Sequence, residues 1–363
     1  MNGKVLFITS GMCKGGAETQ LIKVALFLKS LDYTVLIISL TPINEFELDY
    51  EKNGIPVHFL KRWRPYPFSN CISLYKTVKS YKPDVVIAFM FIAIIFARVL
   101  KKILNFPLIS TIRIGVLPRK WYIPFLITSG LDDQIVYNSR ASMKKFEEQK
   151  LVGKSGSVIN NSITIPSLID RNPECRHDNL FHWVCIAHFR WNKDYMTLFK
   201  AVALLRGMNF RLDIIGELNA QTWPFRVIEE FKIKEHIRIL GFQKDASDYL
   251  QDADAFVLSS FSEGMPNALL EAMSYAKPVV VTDIDCNKEL LDQAACGLLS
   301  RKENEYDLAS KMLQMMQMTA DERAGLGRRG RTHIVNHFAE DKVMNHWLAL
   351  VSPYSLVKEQ IHF

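Results

Sequence analysis

Six cysteines (Cys13, Cys71, Cys175, Cys185, Cys286, Cys296) are scattered along the 363 residues, and no C-x-x-C pair occurs. That pattern excludes a zinc ribbon and gives no sign of a disulfide framework. In an intracellular chain it predicts reduced, partly buried thiols. No His, Cys and Asp cluster has metal-ligand spacing, so no metal site is expected. Long apolar runs are missing too. The longest, VVIAFMFIAIIFA (85–97), is short of the ~17–25 residues that cross a bilayer. It reads as a buried strand running into a buried helix. The opening MNGKVLFITSG has a shorter apolar run than the ~7–15 residues of a signal-peptide core, and reads as a first strand. A cytoplasmic location is therefore expected. No segment is dominated by Ser, Gln or Pro, which argues against large disordered regions.

Acidic residues are scarce in the first half. Residues 1–165 hold 22 Lys/Arg against 11 Asp/Glu, while residues 166–363 hold 23 against 27. A basic half favours an anionic partner: a membrane surface, a phosphate-bearing acceptor or nucleic acid. A basic surface without any partner is equally compatible with charge alone. No nucleic-acid module accompanies the charge, so no nucleic-acid partner is expected.

What is present is ordinary globular composition: 48% hydrophobic, 23% charged, mean hydropathy +0.02. At roughly 100–200 residues per domain the length predicts two domains. Apolar strands alternate with amphipathic helices. VLFIT (5–9), TVLIISL (34–40), VHFL (57–60), VVIAF (85–89), LISTI (108–112) and QIVYN (134–138) make one series. WVCIA (183–187), RLDIIG (211–216), IRILG (237–241), AFVLS (255–259) and PVVVT (278–282) make a second. Fully apolar strands between helices predict parallel sheets covered on both faces. The fold class expected is α/β, with two doubly wound Rossmann-like domains facing a cleft. The first spans 1–165, with a C-terminal helix over about 340–363 packing back onto it. The second spans 175–340. TIPSLIDRNPECRHDN (164–179) has linker composition. Ligands in such sheets bind beyond the carboxyl ends of strands, so the loops there are where chemistry is sought.

Three such loops stand out. GMCKGGAE (11–18) follows the first strand and opens a helix. Its glycines allow close backbone approach, and a helix N-terminus favours an anion. It is neither G-x-G-x-x-G nor a P-loop, and a tight structural turn explains it equally well. HFRWNKD (188–194) puts His188, Arg190 and Lys193 in one strand-to-helix loop. Arg and Lys suit a diphosphate, although a solvated loop is the plainer reading. SEGMPNALLEAM (262–273) follows AFVLS. Pro266 suits a first helical turn, and amides near Asn267 and Ala268 would face a phosphate. Glu271, one and a half turns in, could accept both hydroxyls of a ribose, and Glu263 those of a second sugar. A plain surface Glu pair leaves the intervening Gly-Met-Pro unexplained. The D-x-D at 252–254 reads as turn chemistry between a helix end and a strand start.

In their order and spacing these pieces resemble the family-four retaining glycosyltransferases of the GT-B fold, over nearly the whole chain. The most specific is SSFSEGMPNALLEAMSYAKPVVVTDIDCNKELL (259–291), similar to that family's E-x7-E segment. GGAETQL (15–21), NSR (138–140), VINNSI (158–163), IAHFRWNKDYMTL (186–198), LDIIGE (212–217) and IRILGF (237–242) support it. The resemblance implies sugar transfer from a nucleotide-diphosphate sugar, UDP- or GDP-linked, to an acceptor hydroxyl with retained configuration. It implies no metal and no resident cofactor. Lys193 would stabilise the leaving diphosphate, with Arg190 or His188 at the place of the family arginine. Glu263 would hold donor-sugar hydroxyls and Glu271 the ribose. Gly15, Gly16, Gly216, Phe242, Gly264, Met265, Pro266, Asn267 and Ala268 would complete the donor site. Arg113, where many members carry a histidine, and Asn138 would lie on the acceptor or donor-sugar side. Asp285-Cys286 replace the family's Gly-Gly and are expected to alter a loop near the donor.

The resemblance places the acceptor on the basic N-terminal domain. FLKRWRPYPF (59–68) and LPRKWYIPFLI (117–127) mix Arg/Lys with aromatics, as suits a lipid–water interface. Peripheral attachment to the inner face of an anionic membrane, beside a polyprenyl-linked glycan acceptor, is expected. The alternative is aromatics in the core with basic tips outside. Two other functions fit the fold: a nucleotide-sugar epimerase, and a non-catalytic nucleotide-sugar-binding partner subunit.

Overall fold

Apolar, β-branched segments become strands here because both faces of each sheet are covered. A computed structural model describes residues 2–46, 49–50, 52–168 and 180–356. Cys175 and most of the linker-like stretch 164–179 lie outside the described residues. The chain divides into two compact units, residues 1–162 with 340–363, and residues 163–339.

The first unit runs β1 (Lys4–Thr9), α1 (Gly16–Ser30), β2 (Thr34–Ser39), β3 (Val57–Phe59), α2 (Pro67–Tyr81), β4 (Val85–Phe89), α3 (Phe91–Leu104), β5 (Leu108–Ile112), α4 (Tyr122–Ile127), β6 (Gln134–Tyr137), α5 (Arg140–Glu148) and β7 (Ser157–Val158). The strands pair in parallel in the order β3-β2-β1-β4-β5-β6-β7. Alternate residues of β1 serve opposite faces. Leu6 and Ile8 join a core with α2, α3 and α4, whereas Val5 and Phe7 join one with α1.

The second unit runs β8 (Phe181–Ile186), α6 (Tyr195–Leu204), β9 (Phe210–Ile215), α7 (Trp223–Glu230), β10 (Ile237–Gly241), α8 (Ser247–Asp252), β11 (Ala255–Leu258), α9 (Asn267–Ser274), β12 (Val279–Thr282), α10 (Asp285–Ala294), β13 (Gly297–Ser300), α11 (Glu305–Gln317) and α12 (Ala320–His337). Its parallel order is β10-β9-β8-β11-β12-β13. The last helix, α13 (Glu340–Leu356), groups with the first unit, where Val343, Met344, Trp347 and Val351 enter the α1-side core.

The anticipated strands all form, and β7 and β13 are additional. Both are short, and β7 has no sustained apolar pattern to announce it. Asp252 ends α8, and the Asp254 carboxylate accepts from His182 N (2.9 Å) at the start of β8, a tertiary bond rather than a local turn. Pro266 sits one residue earlier than expected, as the cap of α9 rather than in its first turn. Asp285 and Cys286 open α10 instead of forming a loop. All five described cysteines are unbridged; Cys185, Cys286 and Cys296 are buried, and Cys71 is exposed.

One buried ion pair inside the first unit is fully satisfied. Arg98 of α3 is fully buried and forks onto Asp132, through Nε to Oδ1 at 2.9 Å and Nη2 to Oδ2 at 2.5 Å. Its Nη1 donates to the Phe125 carbonyl of α4 (2.9 Å), and Ser110 Oγ donates to Asp132 (2.6 Å). A desolvated ion pair is tolerated only with such saturation. Here it ties α3 to α4.

Candidate active site

In each sheet the strand order reverses direction at one place, where ligands of such sheets bind beyond the strand ends. In the second unit the reversal falls between β8 and β11. The loops after those strands are 187–194 and 259–266, the two that the motifs single out.

Backbone and side-chain bonds stitch these loops together. Phe261 N donates to Asn192 O (2.8 Å), Ser259 Oγ to Asp194 O (2.8 Å), and Asn192 Nδ2 to Ser262 O (3.3 Å). Asp194 caps α6 by accepting from Thr197 N (3.2 Å). Such a cap contributes about 1 kcal/mol and fixes where the loop ends. Lys193 is thereby held against Glu263. Its Nζ donates to Glu263 Oε1, and the two side chains are only 16% and 12% exposed. The same Oε1 accepts from Ser260 Oγ (2.9 Å) and Asn192 Nδ2 (3.4 Å). All these bonds fall on one carboxylate oxygen, which leaves Oε2 for a ligand. An ammonium has three N–H donors, and Lys193 uses one on Glu263.

The shell behind this pair is rigid. Ser260 N donates to Thr282 Oγ1 (3.0 Å), and Asn287 Nδ2 to the Thr282 carbonyl (2.9 Å). Tyr195 Oη donates to the Ala187 carbonyl, and Tyr195 stacks on Phe189 at 4.0 Å. Burial pushes the neighbouring Cys185 thiol up to about 12, so it stays protonated.

The remaining candidates fall at the same strand ends. His188 Nδ1 accepts from Glu217 N (3.0 Å), and its ring lies parallel to Phe242 at 6.3 Å. Phe242 is 44% exposed and follows Gly241, whose φ of +69° suits glycine. Gly216 is dictated by packing, because a Cβ there would meet the Ala187 carbonyl oxygen at 1.9 Å. Gly264, Met265 and Pro266 are buried, and the Met265 side chain joins the core. Pro266 O accepts from Leu269 N and Leu270 N at the start of α9, which carries Asn267, Ala268 and Glu271. Arg190 is exposed, and among the described residues its guanidinium has no partner; the structure does not bring it to the Lys193–Glu263 pair.

In the first unit the reversal lies between β1 and β4. Gly15 caps α1 with no side-chain bond, and Gly16 begins it. Arg113, just beyond β5, is buried between the rings of Phe89 and Trp347, 5.4 Å from each. Nη1 donates to Asn161 Oδ1 (2.8 Å), while Nε and Nη2 have no partner. Burial lowers its pKa to about 9. Asn138, next in register beyond β6, is buried with an unpartnered Oδ1. Among the described residues, no group of three or more His, Cys, Asp or Glu is placed to hold a metal.

Asn192, Ser260 and Thr282 were not anticipated. Their signals are modest: Asn192 adjoins Lys193, and Ser260 stands three residues before Glu263 on the same loop.

Two family models cover these loops. One, Glycosyltransferase Family 4, matches residues 14–165, and the other, Glycosyl transferases group 1, matches residues 171–333. The chain belongs to these glycosyltransferase families, with the GT-B fold. A glycosyltransferase from Rickettsia africae superposes with a TM-score of 0.83 at 18% identity, over 98% of this chain and 99% of that one. Anabaena Alr3699/HepE in complex with UDP and glucose gives 0.82 at 19%, over 97% and 100%. Among curated relatives, the Campylobacter jejuni N,N'-diacetylbacillosaminyl-diphospho-undecaprenol alpha-1,3-N-acetylgalactosaminyltransferase is 30% identical over 133 residues, 36% of this chain. The putative colanic acid biosynthesis glycosyltransferase WcaL of Escherichia coli is 30% identical over 155 residues, 40% of this chain. The chain spans about a third of the length of these relatives, 34% and 37%.

Proposed function

We propose that the protein is a retaining glycosyltransferase. It moves a hexosyl- or N-acetylhexosaminyl-type sugar from a nucleotide-diphosphate sugar to a hydroxyl of a polyprenyl-linked glycan, in bacterial surface-polysaccharide synthesis. The observation that carries the reading is the Lys193–Glu263 pair at the switch point of the second unit. Two donors remain on the ammonium for a diphosphate, and one carboxylate oxygen remains for a sugar hydroxyl. Stabilising charge as it develops on a leaving diphosphate is the larger catalytic term in such chemistry. Arg190 supplies a second cation from the same loop. Glu271 holds the ribose, and Phe242 with His188 offers flat surfaces near the nucleotide. In the first unit, Arg113 keeps Nε and Nη2 unpartnered for a ligand.

Support for the substrate class comes from relatives. The Campylobacter enzyme is named for a diphospho-undecaprenol acceptor, and the HepE structure is titled with UDP and glucose. Attachment to the cytoplasmic face of the membrane follows from a lipid-linked acceptor and a first half rich in Lys/Arg. Purified protein incubated with a panel of UDP- and GDP-sugars tests the reading. Acceptor-stimulated release of the nucleoside diphosphate is the expected result. Epimerised donor, or binding without turnover, would replace it with the epimerase or partner-subunit reading.

A further inference from the structure

Of the aromatics expected at a lipid interface, Phe125 is buried, Trp63 and Trp121 are half-buried, and Tyr66 and Phe68 are exposed. Trp63 donates Nε1 to the Leu40 carbonyl (2.7 Å) and packs on Phe96 at 4.7 Å. Trp121 packs on Phe91 at 5.5 Å, and Phe125 is fully buried. The second segment, with the neighbouring α3, leaves aliphatic side chains outside. Ile123, Leu126 and Ile127 of α4 are 73%, 47% and 76% exposed, and Val99 and Ile103 of α3 are 49% and 63% exposed. Val99 and Ile103 are four apart on α3, as are Ile123 and Ile127 on α4, so each pair shares one helix face. Val99, Lys102, Ile103, Ile127, Gly130 and Leu131 line one shallow groove between them. Arg98 of α3 donates to the Phe125 carbonyl of α4, which holds the two helices together.

Clustered aliphatic exposure of this kind marks an interaction surface. The charge around it selects the partner. From Lys52 to Leu131 the chain holds thirteen Lys/Arg and a single acidic residue, Asp84. Lys102, Arg119 and Lys120 are exposed and make no ion pair among the described residues. Asp132 and Asp133, which follow Leu131, are already held by Arg98 and by Lys101 and Leu108 N (2.6 Å). The surface is thus an apolar centre with an uncompensated cationic rim. Aliphatic side chains enter the acyl boundary while Lys and Arg reach anionic headgroups.

We infer that the α3–α4 face, with Ile103, Ile123 and Ile127 at its centre, is where the protein inserts into an anionic bilayer. This rests on the lipid-linked-acceptor reading and assigns it a surface. No helix among the described residues is long and apolar enough to cross a membrane, so the contact is interfacial.

The test is flotation of the full chain with liposomes of phosphatidylethanolamine and phosphatidylglycerol, against phosphatidylcholine alone, at low salt. Wild type is expected to float with the anionic mixture only. Ile123→Ser with Ile127→Ser is expected to reduce the bound fraction roughly tenfold or more, since each removes about three buried carbons. Lys102→Glu with Lys120→Glu is expected to abolish the preference for anionic lipid. Both double variants are expected to keep wild-type turnover with a water-soluble acceptor and wild-type melting, since the changed side chains are exposed. If wild type floats and the isoleucine variant floats equally, this surface is wrong while membrane attachment stands. If wild type does not float, the membrane reading falls and the inference with it. If the isoleucine variant splits a wild-type dimer in sedimentation and leaves flotation unchanged, the face is a self-association surface and the inference is overturned.

Discussion

Lys193 Nζ donates to Glu263 Oε1 across two loops that follow β8 and β11, and both side chains are mostly buried. Neither carries a second counter-ion among the described residues. Each therefore neutralises the other. Under the proposed function, a donor that is anionic at one end and hydroxylated at the other offers the lysine a phosphate and the carboxylate a hydroxyl.

Ser260 is the residue that aims this carboxylate. Its hydroxyl donates to Glu263 Oε1 while its amide is held by Thr282 Oγ1. Ser260→Ala is expected to lower kcat roughly tenfold, since a hydrogen bond to a charged group contributes ~1.5–3 kcal/mol. Ser260→Thr should restore it. Steady-state kinetics checks this, and an unchanged kcat would make Ser260 a packing residue only.

The two glutamates should fail differently. Glu263→Gln leaves Lys193 without its counter-ion and offers an amide where three donors converge, so kcat should fall about a hundredfold or more. Glu271→Gln should mainly weaken donor binding, by roughly tenfold, with kcat little changed. Donor titration by calorimetry alongside turnover separates the two. Equal, negligible effects would return the stretch to a plain helix face.

Arg113 has two buried nitrogens, Nε and Nη2, with no partner. Arg113→Lys keeps the charge and removes the planar fork. Turnover is expected to fall about tenfold, an estimate set by one charge-assisted hydrogen bond. Full turnover with unchanged donor and acceptor affinities would confine Arg113 to holding Trp347 and Asn161.

His333 predicts an acid-side weakness. Burial, and then His337, lowers its pKa below the ordinary 6.5. The folded state thus resists a proton that the unfolded state accepts. As pH falls below about 6.5 the unfolded state binds it first, and stability declines until the folded pKa is passed. Melting temperature should drop between neutral and mildly acid pH. His333→Gln should flatten that slope; an unchanged slope would assign it to other groups.

The strands were legible because VLFIT, TVLIISL, AFVLS and PVVVT are buried on both faces and read as unbroken apolar runs. Glu263 and Lys193 were legible because their loops follow such strands. Their contact was not, since it depends on the order β9-β8-β11, which no local pattern states. Ser260 and Asn192 act through tertiary hydrogen bonds, and a lone Ser or Asn in a loop looks like turn chemistry. Composition also does not say which side chains of a mixed basic and aromatic segment face outward: Trp63 and Trp121 pack against α3 and Phe125 is buried, while Phe68, Ile123 and Ile127 are left outside.

The most direct measurement is the initial rate of acceptor-dependent nucleoside-diphosphate release by wild type and by Lys193→Ala at saturating donor. With Lys193 stabilising the leaving diphosphate, the variant should be slower by roughly 10²–10³-fold, with its melting temperature near that of wild type. A folded Lys193→Ala protein releasing nucleoside diphosphate at the wild-type rate would contradict the account.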